Sequence, residues 1–384
     1  MNEQLKYVPI FRGLQQELEV LKTFDFGESM YPCLEIIKEL DRVPPQPKEE
    51  NLAKPRKAKP EKKFEHVYLP LLENIDAVRV FVDLPVQLKP IRGMKKATLE
   101  FLQTVVTVRI KRTEYLNKLS PLAEKIIPVI STFAAVNPEK NSIILQAGDL
   151  RPVFPSLAYR TFLGTFTNDI LQIKNVIRDS DYLIMDWENN ELDIEDGDMA
   201  DIVEELKKLQ CTVITHRNPF PYDLTYAGLA HGEIETKIDN SLLDRYEDFA
   251  GSCFSDYAGI KKNTIIEVPI ISPGFFYYDA TENVFYGYKY KNGSHKKGEV
   301  KPHPEEFETT ITPAVLSSEA TKRMLKHAYG YLTRDNNGYI TLRNIERGGA
   351  FGEPGKSATK FKRIGLEHYL YCLKLRILNG DFNN

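Results

Sequence analysis

Apolar residues recur along this chain in two rhythms. Short continuous runs read as buried strands: "YVPIF" (Tyr7–Phe11), "YPCLEII" (Tyr31–Ile37), "VRVFVDLP" (Val78–Pro85), "IIPVIST" (Ile126–Thr132), "SLAYRTFL" (Ser156–Leu163), "YLIMDWE" (Tyr182–Glu188) and "CTVITHR" (Cys211–Arg217). "CFSDYAG" (Cys253–Gly259) and "TIIEVPIIS" (Thr264–Ser272) compete for the last place in the series. "NSIILQAGD" (Asn141–Asp149) is a further strand candidate that an eight-strand count leaves unplaced. The second rhythm is helical. Leu14, Leu18 and Leu21 share one stripe, as do Ile202, Leu206 and Leu209 in "MADIVEELKKLQ", and a long helical region is expected over Thr98–Lys125.

Apolar strands alternating with helices imply a parallel sheet buried on both faces. About eight such units in residues 1–272 favour a (β/α)8 TIM-like barrel over an open sheet. No G-x-G-x-x-G follows the first strand, so the dinucleotide-binding fingerprint is absent. Residues 44–66 interrupt the pattern with five prolines and clustered Lys and Arg, read as a disordered insertion that also offers a basic arm for phosphate. Residues 273–384 change character. "GFFYYDATENVFYGYKYKNGS" reads as a hairpin, "SSEATKRMLKHAYGYL" as a helix with Ser317 at its N-cap, and "FKRIGLEHYLYCLKLRIL" as a closing helix. A small C-terminal α+β cap packed on the barrel is expected.

Composition narrows the class. A formal net charge of −3 offers no basic field over the whole molecule for nucleic acid. The four cysteines are widely spaced with no C-x-x-C pair, which fits a reducing compartment and excludes a disulfide framework. No apolar run approaches membrane-spanning length, so a cytoplasmic protein without membrane association is expected.

A parallel barrel places its pocket at the C-terminal strand ends. Those ends carry Arg12, Glu35, Asp83, Thr132, Arg160, Asp186 with Glu188, His216 with Arg217, and Asp256 followed by Tyr257. Asp186, Glu188 and His216 are the catalytic candidates, with His216 the one suited to proton transfer near neutral pH. Arg12, Glu35, Asp83, Arg160, Arg217, Asp256 and Tyr257 are the ligand-binding candidates. The acids could hold Mg²⁺ while the arginines grip phosphate, as in a phosphodiesterase or nuclease. They could also act as a carboxylate pair on a glycosidic bond. A nucleophilic triad lacks its signature. His231 reads as surface, His368 as packing, and "DNNGYI" fails the spacing of a calcium loop.

Several motifs recur in a familiar order: "YVPIFRGLQQELEVLKTF", "CLEI", "ITHRNPFP", "SLLDRYEDFAGSCFSDYAGI" and "FKRIGLEHYLYCL". Tyr7, Pro9, Arg12, Gly13 and Glu17, then Phe254, Ser255, Asp256 and Tyr257, then Gly365 and His368, resemble the beta protein family of phages, prophages and bacterial mobile elements. The resemblance implies a (β/α)8-like barrel in phage-associated or anti-phage defence settings, and carries no catalytic set. It suggests a sensor or assembly partner whose mouth binds a nucleotide, nucleic-acid-derived or other anionic ligand, and whose partner is another defence-system or phage protein. A metal-assisted hydrolase and a non-catalytic interaction scaffold are the alternatives.

Overall fold

The computed structural model describes residues 4–39, 63–86, 94–131, 139–262, 273–294, 298–348 and 352–382. Eight parallel strands close into a barrel: β1 (Tyr7–Phe11), β2 (Cys33–Glu35), β3 (Val80–Asp83), β4 (Ile126–Ile130), β5 (Ala158–Phe162), β6 (Tyr182–Asp186), β7 (Thr212–His216) and β9 (Cys253–Asp256). The two-residue β8 (Glu233–Ile234) lies outside the ring, in the long connection between β7 and β9. Closure comes where β1 pairs with β9, Val8 opposite Ser255 and Pro9 opposite Asp256.

Alternation along each strand divides its side chains between two cores. On β6, Tyr182 and Ile184 point into the barrel, whereas Leu183 and Met185 pack outward under the helices. Both sets are apolar, which is why the strands read as continuous runs. The lower interior is filled by residues such as Val8, Phe81, Ile127 and Ile214, so the barrel is a packed core, not a pore.

"CFSDYAG" supplies the eighth barrel strand, while "TIIEVPIIS" lies outside the described residues. The strand expected at Asn141–Asp149 is instead the helix Ser142–Leu150. Ile143, Ala147 and Leu150 share its buried face at i, i+4 and i+7, a period hidden by the local run of apolar residues. The long helix expected over Thr98–Lys125 is two helices, Lys96–Thr107 and Arg109–Asn117, broken where Val108 adopts an extended conformation. Most of the 44–66 insertion lies outside the described residues, but Phe64–His66 already belong to the helix Phe64–Glu73, anchored by buried Phe64. The N-cap expected at Ser317 is Ser318, whose hydroxyl accepts from the Thr321 amide.

The C-terminal part opens with the hairpin β10 (Gly274–Asp279) and β11 (Val284–Lys289), turning through Asn283 in the left-handed region. β11 also pairs with β8, which joins this sheet to the barrel's own connection. The closing helix Ala358–Leu378 packs against β10 and against the first helix, Gln15–Thr23. Lys362 pairs with Glu17, Lys374 with Asp25 at 2.7 Å, and the Tyr369 hydroxyl donates to Asp256 at 2.6 Å. His368 is a packing residue, its ring nitrogens meeting Asn336 at 2.9 Å and the Tyr278 carbonyl at 2.8 Å. No helix among the described residues is long and apolar enough to cross a membrane.

Candidate functional site: a charged layer at the barrel mouth

The inward parity that fills the lower barrel with apolar groups continues upward and changes chemistry. The topmost inward positions are Arg12, Glu35, Asp83, Ser131, Arg160, Asp186, His216 and Tyr257, and all are buried. Arg160 on β5 is the hub. Its Nε and Nη2 donate to Asp186 Oδ2 at 3.0 and 2.7 Å, and its Nη1 to Glu35 Oε1 at 2.9 Å and Asp83 Oδ2 at 2.8 Å. Arg12 Nε holds Glu35 Oε2 at 2.9 Å. Arg112 reaches in from the helix Arg109–Asn117 to donate to Asp83 Oδ1 and Ser131 Oγ, each at 3.0 Å. Three guanidiniums thus face three carboxylates in one branched network of charge-assisted bonds that radiates from Arg160.

The charge states follow from this wiring. Burial pushes the Glu35 carboxyl up, but Arg12 and Arg160 outweigh it and hold the group well below the usual carboxylate range. Asp186 is likewise lowered, burial being overcome by His216, Arg160 and Lys262. His216 is itself lowered to about 4 by burial, so near neutral pH its ring is uncharged and Arg160 is the cation acting on Asp186. The His216 Nδ1 meets Ser255 Oγ at 2.9 Å, Ser255 donates onward to the Val8 carbonyl at 2.7 Å, and Nε2 stands 3.8 Å from Asp186. That Nε2 is buried and has no hydrogen-bond partner among the described residues.

The Tyr257 phenol sits at the centre. It donates to Glu35 Oε1 at 3.1 Å and accepts from Arg160 at 3.3 Å, with the His216 ring edge-on at 5.2 Å. Above its face stand two cations, the Lys262 ammonium at 4.7 Å and the Arg12 guanidinium at 5.9 Å from the ring centroid. Lys262 is lowered to about 8, by burial first and by Arg12 next, against the pull of Glu35 and Asp186.

Of the residues expected at the mouth, Arg12, Glu35, Asp83, Arg160, Asp186, His216 and Tyr257 converge. Glu188 stays at the exposed rim in a left-handed backbone conformation, its amide donating to Asp186 Oδ1 at 2.8 Å. Its carboxyl is raised by burial and by Asp186. Asp256 does not belong to the mouth. It has the outward parity of β9 and accepts from Tyr7 at 2.5 Å and from Tyr369, so it fastens the closing helix. Arg217 also turns away, to the Asn190 carbonyl at 2.8 Å and to Asp239. Thr132 lies outside the described residues. Four site residues escaped sequence reasoning, the first of them Ser131, since the end of its apolar run points to the neighbouring Thr132. Arg112 is one of three basic residues in "RIKRTEYLN", with nothing local to mark it as the one that turns inward. Ser255 shares parity with Tyr257 and could have been found by counting in twos. Lys262 follows the strand end in "DYAGIKK" and would have been caught by reading a few residues further.

The donor set does not fit the Mg²⁺ site considered from sequence. Among the described residues no group of three or more His, Cys, Asp or Glu side chains is disposed to hold a metal ion. Glu35, Asp83 and Asp186 each bind guanidinium, so a divalent cation would have to displace Arg160 from the acids it joins.

A closed (β/α)8 barrel whose strand ends meet in one buried ionic layer is the class of protein described here. The chain belongs to the Beta protein family, whose profile matches residues 7–372. Comparison with curated proteins and with solved structures gave no match.

Proposed function

We propose that the barrel mouth binds an anionic ligand of the nucleotide or nucleic-acid-derived class, and that the protein acts as a sensor or assembly partner. The observation that carries this reading is Lys262. Three arginines already neutralise Glu35, Asp83 and Asp186, and among the described residues no carboxylate lies within ion-pair distance of the Lys262 ammonium. A cation at the narrow opening of a low-dielectric barrel that is not held in an ion pair is available to draw an anion toward it. Tyr222, exposed at the same rim and close enough to feel Asp186 and Glu188, offers a ring for a planar ligand. The ionic layer supports the reading in a second way. Buried ion pairs are seldom more stabilising than apolar residues of the same volume, so a charged layer in an otherwise apolar interior suggests a use other than stability. A setting in the conflict between phages and bacteria belongs to the proposal and rests on the family.

The test is a thermal-shift panel of nucleoside phosphates, short oligonucleotides and inorganic phosphate against the intact protein and Lys262→Ala. A ligand at 100 times its Kd stabilises by about 2.7 kcal/mol, and the shift should shrink in the variant. No shift across the panel would refute ligand binding of this class, and an undiminished shift in Lys262→Ala would move the site elsewhere.

A further inference from the structure

Lys261 and Lys262 are neighbours in sequence with opposite tasks. Lys261 Nζ donates to the carbonyls of Tyr222 and Leu224 at 2.8 and 2.5 Å, and so fastens the connection after β7 beside the opening. Lys262 turns the other way, over the Tyr257 ring that it shares with Arg12. Its ammonium is surrounded by Arg12 and Arg160, which disfavour its charge, and by Glu35 and Asp186, which favour it but are themselves bound to guanidinium. Glu188 stands at the same rim, within electrostatic reach of Lys262. An amine held beside fixed cations at the rim of a barrel mouth, with a carboxyl close by to carry protons, is the environment that makes a lysine nucleophilic.

We propose that Lys262 is a nucleophile that captures the carbonyl group of an anionic aldehyde or ketone as an imine. This rests on the anion-binding reading of the same mouth and adds what the ligand does there. The neutral Nζ gives its electron pair to the carbonyl carbon, and the carbonyl π pair moves onto oxygen, which takes up a proton. Nitrogen releases a proton to give the carbinolamine. A second protonation at oxygen, with Glu188 the group near enough to deliver it, expels water as the C=N bond forms, and the resulting iminium nitrogen returns a proton to the Glu188 carboxylate. Amine and carbonyl become imine and water, with no change of oxidation state. Arg12 is the fixed cation for the ligand's anionic group.

Near pH 7 an amine lowered to about 8 is neutral in about one molecule in ten, against fewer than one in a thousand for an ordinary lysine near 10.4. That is an advantage of roughly 200-fold in reactive form. The experiment is reductive trapping on the full chain at pH 7 with cyanoborohydride, using glyoxylate as an anionic aldehyde and acetaldehyde as a neutral one. Adducts are located by peptide mass spectrometry. Glyoxylate should label Lys262 at least tenfold faster than any other lysine, acetaldehyde should lose that preference, and the Lys262 labelling rate should rise with a midpoint near pH 8. Lys262→Arg and Lys262→Met should remove the dominant adduct while the melting temperature stays within a few degrees. Labelling spread evenly over surface lysines would overturn the proposal. So would failure of glyoxylate to label Lys262 while the nucleotide-induced thermal shift is retained, which would leave anion binding standing and remove the imine alone.

Discussion

Arg160→Met tests whether the ionic layer is a closed, desolvated unit. Methionine keeps much of the hydrocarbon stem and removes the hub. Glu35 would keep Arg12, and Asp83 would keep Arg112. Among the described residues Asp186 would keep the Glu188 amide as its one hydrogen-bond donor, with an uncharged imidazole 3.8 Å away and the Lys262 ammonium acting on it only from beyond ion-pair distance. One buried carboxylate is thereby orphaned, at a cost of about 3–5 kcal/mol out of a total stability on the order of 5–15 kcal/mol. With an unfolding entropy near 2 cal/mol/K per residue over this chain, that is a fall in Tm of roughly 4–6 °C. The pH dependence carries the diagnosis. In the wild type Glu35 and Asp186 are depressed, so their contribution is present above the unfolded value and fades as pH falls through the lower folded values. In the variant the Asp186 carboxyl should rise instead and take up a proton between pH 7 and 5, relieving the orphan charge. Denaturant unfolding at both pH values should therefore show the gap to wild type narrowing on acidification. Adding Asp186→Asn should recover about 2 kcal/mol as a coupling energy. A loss below about 1 kcal/mol, or a gap of constant size across that range, would mean that water reaches the acids and that the closed-layer reasoning is wrong.

Three further outcomes follow from the geometry. A Gly259→Ala change places a Cβ at 2.3 Å from the Tyr369 ring in a left-handed backbone conformation, so equilibrium unfolding should show a loss of about 1–3 kcal/mol; a neutral result would show that the closing helix is not tightly seated there. The His216 ring should titrate by NMR near 4, its stability contribution being full above its unfolded value of about 6.5 and lost as pH falls through the folded value; a midpoint near 6.5 would place the ring in water. Trp187 is fully buried against Phe249 and is the chain's single tryptophan, so acrylamide should barely quench the native fluorescence and quench it strongly on unfolding; ready quenching in the native state would show that the end of β6 is open.

The barrel was legible because parallel strands buried on both faces leave an unmistakable apolar run, and the connections between them carry helical periods. The mouth was legible for a related reason, since an ionisable group that ends such a run sits where the barrel opens. What the end-of-run rule lacks is parity. Asp256 and Tyr257 are adjacent, yet the outward residue fastens a helix while the inward one sits among the arginines. Arg112 shows a different limit. Its role depends on the helix Arg109–Asn117 lying against β3 and β4, a fact of tertiary packing that no local spacing encodes. The helix at Ser142–Leu150 was mistaken for a strand because consecutive apolar residues satisfy both periods over so short a stretch.

The link between Lys362 and Glu17 spans 345 residues of sequence. During synthesis the barrel strands emerge long before residues 358–378, and until those arrive the Asp256 carboxylate lacks one of its two phenol donors and the first helix lacks its neighbour. Contacts this distant in sequence form slowly. A nascent chain paused between β9 and the closing helix would therefore expose the outer apolar face of β1 and β9 at the seam of the ring, the region where a chaperone would be most needed.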